Sequence, residues 1–361
     1  MKKVVTVVGA RPQFIKAAVV SRELRKEYHE VMIHTGQHYD YNMSDIFFQE
    51  LDIPKPDYNL GISGGSHGKM TGEMVIEIEK VLMKENPDIV LLYGDTNSTM
   101  AAAIVAVKLQ IPIVHVEAGN RFGTLHSPEE VNRIVTDHVS DLLMCCTQSA
   151  KDFLDKEGLA SKSFVVGDPM YDAFLFYSKS VGNQAPEQLK DIVSDQVILM
   201  PENWNYLTCH RQENTENPKN LLEILNAMEG LDSPCIYPVH PRNHQMVIAL
   251  QKEHSFKNIL FVKPVGYLMS IYLVNHSNRI VTDSGGLQRE AYFAKKQCVT
   301  VLDFVVWPET MNGMCNQLSK PDKDMILRKL NADVVFDQMK NPFGDGQSAR
   351  HIIELMKKCD L

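Results

Sequence analysis

The chain has 361 residues, more than twice the usual length of one folding unit, about 100–150 residues, so two domains are expected. With 44% hydrophobic and 23% charged residues, its composition is globular, which excludes the disordered, collagen-like and disulfide-scaffold classes. Lys plus Arg number 37 and Asp plus Glu number 45, and the formal charge of −8 argues against general binding of nucleic acid or of anionic membranes. A site for one small anion is still allowed.

The cysteines and the N-terminus indicate the compartment. The seven cysteines are scattered and form no C-x-x-C pair, so free thiols are expected rather than a metal knuckle or a disulfide framework. The apolar run 4–8 is too short for a signal peptide or a membrane span and predicts a buried first strand. We therefore expect a cytoplasmic protein without a membrane partner.

Short apolar runs alternate with amphipathic stretches along the chain, which predicts βαβ units and parallel sheets. In the first half, strands are predicted over 4–8, 30–34, 89–93, 113–117, 142–146 and 163–166, and helices over 14–26, 42–51, 69–85, 99–109, 129–139 and 149–157. A polar, turn-rich stretch over 177–199 then predicts the inter-domain linker.

The alternation resumes after this stretch. Strands are predicted over 204–208, 235–239, 259–261, 279–282 and 298–302, and helices over 219–228, 244–252, 268–275, 286–295, 323–330 and 348–358. We therefore predict an α/β protein with two Rossmann-like, doubly wound domains, 1–177 and 178–361, facing a central cleft. The pattern also allows the last helix to pack back on the N-terminal domain.

Charged side chains follow the predicted strands of the first half. Arg11 and Lys16 lie near the start of a helix, where anions are favoured, or they are simply solvated charges. Asp95 follows one strand, where it could instead cap the next helix, and Glu117 ends another. Glu130 begins a helix, where interaction with the helix dipole is the alternative. Three carboxylates on strand-end loops predict a cleft that handles protons, with mutually raised pKa values.

The second half offers cations and hydrogen-bond donors instead. His210 follows one predicted strand, and His240 with Arg242 follows the next. A helix start, where N–H groups can approach a phosphate closely, consists of Ser284, Gly285 and Gly286. A turn selected for backbone geometry alone is the alternative. Together these residues predict a diphosphate site.

Several familiar sites are absent from the sequence. The 13 histidines include no H-E-x-x-H motif, so no metal site is predicted. There is no G-x-S-x-G elbow, which argues against a Ser–His–Asp hydrolase. Neither a Walker loop nor G-x-G-x-x-G follows the first strand.

Eight ordered blocks carry a family resemblance: 9–16, 34–38, 94–98, 116–119, 128–133, 210–215, 239–242 and 282–290. Over nearly the whole chain they resemble the non-hydrolysing UDP-N-acetylglucosamine 2-epimerases, enzymes of the two-domain GT-B architecture. The variant of block 9–16, together with 42–44 and 53–58, is most similar to the branch containing the UDP-2,3-diacetamido-2,3-dideoxyglucuronate 2-epimerases.

The resemblance implies inversion at C2 of a UDP-activated acetamido sugar by a homodimer that uses no NAD, metal or other cofactor. UDP leaves C1 as the C2 proton is removed, and it adds back to the resulting glycal. By position, the resemblance gives acid/base roles to Asp95, Glu117 and Glu130 and assistance of the diphosphate to His210. The substrate-binding residues that it implies are Arg11, Lys16, Arg133, His240, Arg242, Gly266, Ser284, Gly285, Gly286 and Glu290.

Two segments depart from the family pattern. Residues 302–306, Leu-Asp-Phe-Val-Val, replace an Arg, a Thr and a Glu by apolar residues, which bears on sugar specificity and activity. His38-Tyr39-Asp40 replaces the His-Arg-Glu of members activated by their own substrate, so we expect no such activation. A GT-B glycosyltransferase, a hydrolysing epimerase and an inactive sugar-nucleotide-binding protein are the competing interpretations.

Overall fold

The computed structural model describes residues 1–36, 50–123, 125, 127–336 and 341–361. Most of the predicted helix 42–51, and the motif positions 37–44, lie outside these ranges. The chain divides into two compact units: unit 1 comprises Met1–Leu175 and Asn341–Leu361, and unit 2 comprises Phe176–Lys340.

Unit 1 contains a seven-stranded parallel sheet. Its strands are β1 (Lys3–Val8), β2 (His29–His34), β3 (Tyr58–Asn59), β4 (Ile89–Tyr93), β5 (Ile113–Val116), β6 (Leu142–Cys145) and β7 (Ser163–Val165). Its first helices are α1 (Arg11–Leu24), α2 (His67–Glu85), α3 (Asn97–Lys108), α4 (Pro128–Val139) and α5 (Gln148–Lys156), followed by a 3₁₀ turn over Ala160–Lys162. The strand order is β3-β2-β1-β4-β5-β6-β7, and every residue of β4 and β5 is buried, as expected for strands covered on both faces.

Helix α6 (Pro169–Val181) runs through the boundary between the units. The sequence pattern did not predict this helix, although Met170, Ala173, Phe174 and Tyr177 are buried at helical spacing. The predicted linker begins inside the helix and contains a two-stranded antiparallel sheet of β8 (Leu189–Lys190) and β9 (Val197–Ile198).

Unit 2 repeats the architecture with six parallel strands. They are β10 (Asn205–Thr208), β11 (Cys235–Pro238), β12 (Ile259–Val262), β13 (Arg279–Thr282), β14 (Gln297–Thr300) and β15 (Asn316–Leu318). The helices are α7 (Gln212–Thr215), α8 (Pro218–Glu229), α9 (His244–Glu253), α10 (Tyr267–His276), α11 (Gly285–Phe293) and α12 (Lys323–Leu330), with 3₁₀ turns over Pro241–Asn243 and Pro308–Met314. The strand order is β12-β11-β10-β13-β14-β15.

The last helix, α13 (Ser348–Lys358), belongs to unit 1. The carboxylate of Asp172 accepts the backbone N–H groups of Ser348 at 3.1 Å and Ala349 at 2.8 Å, which satisfies two of the donors at the start of the helix. At its other end, Lys357 forms an ion pair with Glu27 at 3.0 Å.

Both sheets have the Rossmann strand order, in which strands are added on one side of the first strand and then, after a reversal of the order, on its other side. The predicted α/β class with two Rossmann-like parallel sheets is therefore confirmed. The reversal lies between β1 and β4 in unit 1 and between β10 and β13 in unit 2, where ligands bind in folds of this kind. Among the helices that the structure describes, none is both long enough and apolar enough to span a bilayer.

Candidate active site

Gln13 connects the loop after β1 to the end of β4 through hydrogen bonds of its side chain. Its side-chain oxygen accepts the N–H groups of Gly9 at 2.7 Å and Ala10 at 3.1 Å, and its amide nitrogen donates to the carbonyl of Tyr93 at 2.6 Å. Block 9–16 of the family resemblance contains Gln13, but only the structure shows that its side chain connects the two segments. The start of α1 is thereby fixed at the reversal point.

Lys16 and Glu117 form an ion pair in which both side chains are buried. A Cβ atom on Gly94 would lie 3.5 Å from Lys16 Nζ, so the turn after β4 adjoins the pair. The backbone of Glu117 has a φ of 66°, a left-handed conformation that costs free energy for a residue other than glycine and is frequent at functional sites. Lys16 is therefore not the solvated helix-start charge that the sequence allowed, whereas Arg11 at the first position of α1 is partly exposed.

Arg133 connects the other two predicted acid/base carboxylates. Its guanidinium donates to Glu130 Oε2 at 2.6 Å and also contacts Asp95 Oδ2, while the ring of Phe122 lies 4.4 Å from its central carbon. Glu130 also accepts the N–H groups of Phe122 at 2.8 Å and Gly123 at 3.2 Å. Glu130 thus accepts hydrogen bonds from three donors. It does more than interact with the helix dipole, which was the alternative that the sequence allowed.

Asp95 differs from the other two carboxylates in its exposure. About 26% of its side chain is exposed, against 9% for Glu117 and 2% for Glu130. The cap of α3 is Thr96, whose hydroxyl accepts the N–H of Thr99, so the capping role that the sequence allowed for Asp95 is wrong. Asn132 donates to the Asp95 carbonyl at 3.0 Å and fixes this turn.

Each of the three carboxylates contacts a buried cation, either Lys16 or Arg133. The sequence predicts that the three carboxylates crowd one another; in the structure Asp95 and Glu130 share one cation, and Glu117 has its own. Opposite charges close to a carboxylate stabilise its ionised form. Unit 1 thus presents a charge-compensated cluster rather than a purely acidic one.

One face of α4 carries most of these contacts. Glu130, Arg133 and Asp137 recur at i, i+3 and i+7 and are all buried, whereas Glu129 is exposed and bonds to Ser127. Sequence analysis singled out the first two and missed Asp137. The helical spacing of three buried charges was the signal that could have identified it.

In unit 2, Asp283 holds the predicted residue His210. The buried carboxylate of Asp283 accepts the N–H groups of His210 at 2.9 Å and Arg211 at 2.8 Å, and it lies 3.2 Å from His210 Nδ1. Burial raises the pKa of Asp283, but the bonds from His210 and Arg211 outweigh it and lower that pKa to about 2. Block 282–290 of the family resemblance includes Asp283, but the sequence did not predict that it holds His210.

His240 and Arg242 lie beside His210. The rings of His210 and His240 are stacked with centroids 5.7 Å apart, and Arg242 donates to the carbonyl of His210 at 3.1 Å. The N–H of Arg242 donates to His240 Nδ1 at 3.2 Å. The structure therefore brings these three predicted residues together at the carboxyl ends of β10 and β11.

The turn 284–286 opens α11. Ser284 caps the helix by accepting the N–H of Leu287 at 3.4 Å. A Cβ atom on Gly285 would lie 3.1 Å from Val306 Cγ1, and neither Gly285 nor Gly286 has a positive φ. Gly285 therefore serves close approach to Val306, and neither glycine is needed for an unusual backbone conformation.

The other two predicted residues of unit 2 lie around α10. Glu290 is buried and hydrogen-bonded to Tyr267, whose pKa is raised by burial and then by Glu290. The N–H of Gly266, which precedes α10, donates to Glu187 at 3.0 Å.

The loop 302–306, whose sequence departs from the family pattern, also contacts the turn 284–286. Val306 packs against Gly285, and the guanidinium carbon of Arg211 lies 5.5 Å from the centre of the Phe304 ring. The apolar replacements thus border the predicted phosphate turn.

A single group of potential metal donors occurs within the ranges that the structure describes: Glu117, Cys146 and Asp168, with donor atoms within 4.8 Å of one another. The ammonium of Lys16 already contacts Glu117 and supplies a positive charge there. The donor set therefore does not favour a further cation.

Known proteins resemble the chain over nearly its whole length. The family model described as UDP-N-acetylglucosamine 2-epimerase matches residues 22–357. A "UDP-N-acetylglucosamine 2-epimerase homolog" of Methanococcus maripaludis is 45% identical over 98% of this chain and 99% of its own. The UDP-2,3-diacetamido-2,3-dideoxy-D-glucuronate 2-epimerase of Pseudomonas aeruginosa is 42% identical over 99% of both chains.

A solved structure gives the same result. The UDP-GlcNAc 2-epimerase of Methanocaldococcus jannaschii, crystallised in complex with UDP-GlcNAc and UDP, is 38% identical and superposes with a TM-score of 0.87 over 99% of both chains. The resemblance predicted from the eight blocks is confirmed, and so is the prediction of an isomerase. The chain belongs to the UDP-N-acetylglucosamine 2-epimerase family.

Proposed function

We propose that the chain inverts C2 of a UDP-activated N-acetylhexosamine by eliminating UDP and adding it back through a glycal. The sugar nucleotide is UDP-N-acetylglucosamine or its 2,3-diacetamido-uronate analogue. One observation carries the proposal: carboxylates paired with buried cations lie at the reversal point of one sheet, and His210 with a glycine turn lies at that of the other.

The chemistry requires both kinds of group. The C2 proton is weakly acidic, so its removal must be coupled to departure of UDP from C1. As the C2–H bond breaks, its electron pair forms the C1–C2 double bond, and the pair of the C1–O bond leaves with UDP. Re-addition reverses these changes after a proton returns to the opposite face of C2. A base, an acid and donors for the leaving diphosphate are therefore needed.

The proposed roles in unit 1 follow from exposure and bonding. Asp95 is the most exposed of the three carboxylates and is the group best placed to exchange a proton with a ligand. Glu117, whose charge Lys16 compensates, is the second acid/base group. Glu130 already accepts two backbone N–H groups and Arg133, so we assign it the role of holding Arg133 against Asp95.

In unit 2, Asp283 next to Nδ1 orients the ring of His210 so that Nε2 faces away from the carboxylate. His210, His240, Arg242 and the N–H groups of the turn 284–286 stabilise the departing diphosphate. Glu290 accepts from the ribose, and Gly266 lies beside the uracil. Arg11 adds a positive charge at the start of α1.

Incubation with each sugar nucleotide in heavy water tests the proposal. Deuterium at C2 of the recovered nucleotide sugar is the expected result. Release of free sugar and UDP would instead identify a hydrolysing epimerase, and sugar transfer to an added acceptor would identify a glycosyltransferase. Absence of exchange with both substrates would refute the proposal.

Matched variants connect the exchange to the proposed residues. Asp95→Asn and Glu117→Gln should abolish deuterium exchange and preserve UDP binding in calorimetry. Glu129→Gln is the control, because this exposed neighbour of Glu130 bonds only to Ser127 among the contacts described for it. Loss of UDP binding in the first two variants would make those carboxylates structural.

The location and the subunit number are proposed on separate grounds. The seven cysteines are free thiols and six of them are buried, which favours a reducing compartment such as the cytoplasm.

Ile76 and Met83, two turns apart on α2, are 54% and 68% exposed and suit the interface of a homodimer. Sedimentation of the wild type and of a variant with Asp at both positions tests this interface.

A further inference from the structure

His115 on β5 is completely buried, and both of its ring nitrogens face hydrogen-bond acceptors. Nδ1 lies 2.7 Å from Asp137 Oδ1, and Nε2 lies 2.7 Å from the carbonyl oxygen of Gly94. A neutral imidazole has one N–H donor and one acceptor nitrogen, so it satisfies only one of these two contacts.

Neither acceptor has a proton to donate. A carbonyl oxygen only accepts, and the second oxygen of Asp137 already accepts the N–H of Gly119 at 3.1 Å and the guanidinium of Arg121 at 2.7 Å. Burial raises the pKa of Asp137, but the bonds with His115 and Arg121 outweigh it and hold that pKa below its usual value. Both ring nitrogens of His115 must therefore carry protons.

The surrounding charges compensate this cation. Asp137 lies between His115 and Arg121, and Arg121 forms two further bonds to the carboxylate of Glu157, at 2.7 and 2.8 Å. Cys145 on the neighbouring strand β6 stays a neutral thiol, because burial and then Asp137 raise its pKa to about 12. The four charged groups thus form an electrically balanced chain of two cations and two anions.

This chain of groups connects the two loops that carry the proposed acid/base residues. Gly94 directly precedes Asp95 and has a φ of 62°, and Gly119 follows Glu117 by two residues and has a φ of 88°. His115 holds the carbonyl of the first loop, and Asp137 holds the N–H of the second. A small displacement of either loop would move a carboxylate out of reach of C2.

We propose that His115 is a positioning residue which, as a buried imidazolium, fixes the loops of Asp95 and Glu117 relative to each other. The positioning role rests on the proposed function, whereas the charge state does not. No contact between His115 and the substrate is required.

Nitrogen-15 NMR of the wild-type chain labelled at histidine tests the charge state directly. At pH 7 the ring assigned to His115, by its absence from the spectrum of His115→Gln, should show protons on both nitrogens. A neutral tautomer with one unprotonated nitrogen would overturn the inference. This measurement needs no turnover, so it decides the charge state even if the wild type exchanges no deuterium at C2.

Two variants that each keep one contact test the positioning role. The glutamine of His115→Gln can donate to the Gly94 carbonyl, and the asparagine of His115→Asn can donate to Asp137, but neither variant holds both loops. Both variants should lower kcat for C2 exchange at least 30-fold, with KM within threefold and UDP affinity unchanged. The control His29→Gln, at an exposed position on β2, should keep the wild-type kcat.

Wild-type kcat in either variant would overturn the positioning role, as would an effect confined to KM. If both variants fail to fold, Asp137→Glu supplies the second measurement. It keeps the anion but lengthens the side chain, so it should lower kcat while the imidazolium signal of His115 remains. Unchanged kcat in that variant would equally refute the proposal.

Discussion

The ammonium of Lys16 and the carboxylate of Glu117 are in direct contact, and both groups are almost completely removed from water. Taking either charge out of water costs several kcal/mol, which the pair offsets only while both partners are present. Glu117 also carries a left-handed φ of 66°, so its position is strained as well as charged. The stability of unit 1 is therefore sensitive to this one contact.

Lys16→Met should destabilise the protein by about 3–5 kcal/mol, because it leaves the carboxylate of Glu117 buried without its cation. Urea unfolding of the wild type and the variant measures this loss of unfolding free energy. Adding Glu117→Gln to Lys16→Met should recover part of the loss, since the uncompensated charge is then removed. The control is Lys80→Met, which breaks an exposed pair with Glu77 at 2.7 Å and should cost less than about 1 kcal/mol. Equal losses in the two single variants would contradict the argument.

Arg133→Lys should lower kcat for C2 exchange on the order of 100-fold, the loss expected when a reacting group is displaced by about 1 Å. The guanidinium reaches Asp95 and Glu130 with two different nitrogens, and a lysine ammonium cannot reproduce this planar fork. Deuterium exchange kinetics measure the effect. Arg350→Lys, in an exposed pair with Glu354, is the matched control and should leave the rate unchanged. A variant at Arg133 with the wild-type rate would show that Asp95 does not need this partner.

Much of the fold could be predicted from the sequence, because buried parallel strands are short apolar runs and the helices between them are amphipathic. Helix α6 was missed because its apolar residues stand next to the polar stretch that follows 177. Two-residue strands such as β3 have no periodicity to detect.

The site was predicted less completely than the fold. Strand-end positions identified Asp95, Glu117 and His210, since parallel strands collect their following residues at one edge of a sheet. The partners came from elsewhere: Asp283 is 73 residues from His210, and Asp137 is 22 from His115. Which cation pairs with which carboxylate depends on packing between elements, and the local sequence does not determine this pairing.

Gly9→Ala should destabilise the protein by about 1–3 kcal/mol through overpacking. An added Cβ would lie 2.2 Å from Ser98 Oγ, at the start of α3, and 2.4 Å from Thr35 Oγ1, directly after β2, so this pair of hydrogen-bonded hydroxyls must move. Gly72→Ala in α2 is the opposite case, because nothing lies within 4 Å of its added Cβ, and it should stabilise by about 0.4–1 kcal/mol. Thermal unfolding of the two variants should therefore shift in opposite directions. A shift of the same sign in both would refute the close-packing argument.

Asp283 should make the stability of the protein depend on pH in the acid range. Its pKa in the folded protein is lowered to about 2, against about 3.9 in an unfolded chain, so folding favours its ionised form. The stabilisation is fully present above about pH 4 and is lost as the pH falls from about 4 to about 2, with a total of about 2–3 kcal/mol. Asp283→Asn has no carboxylate to titrate. The difference in unfolding free energy between the wild type and this variant should therefore narrow by about 2 kcal/mol as the pH falls from 5 to 2.5. Urea unfolding at pH 6, 4 and 2.5 measures it. A gap that stays constant down to pH 2.5 would mean that the bonds from His210 and Arg211 do not stabilise the charge of Asp283.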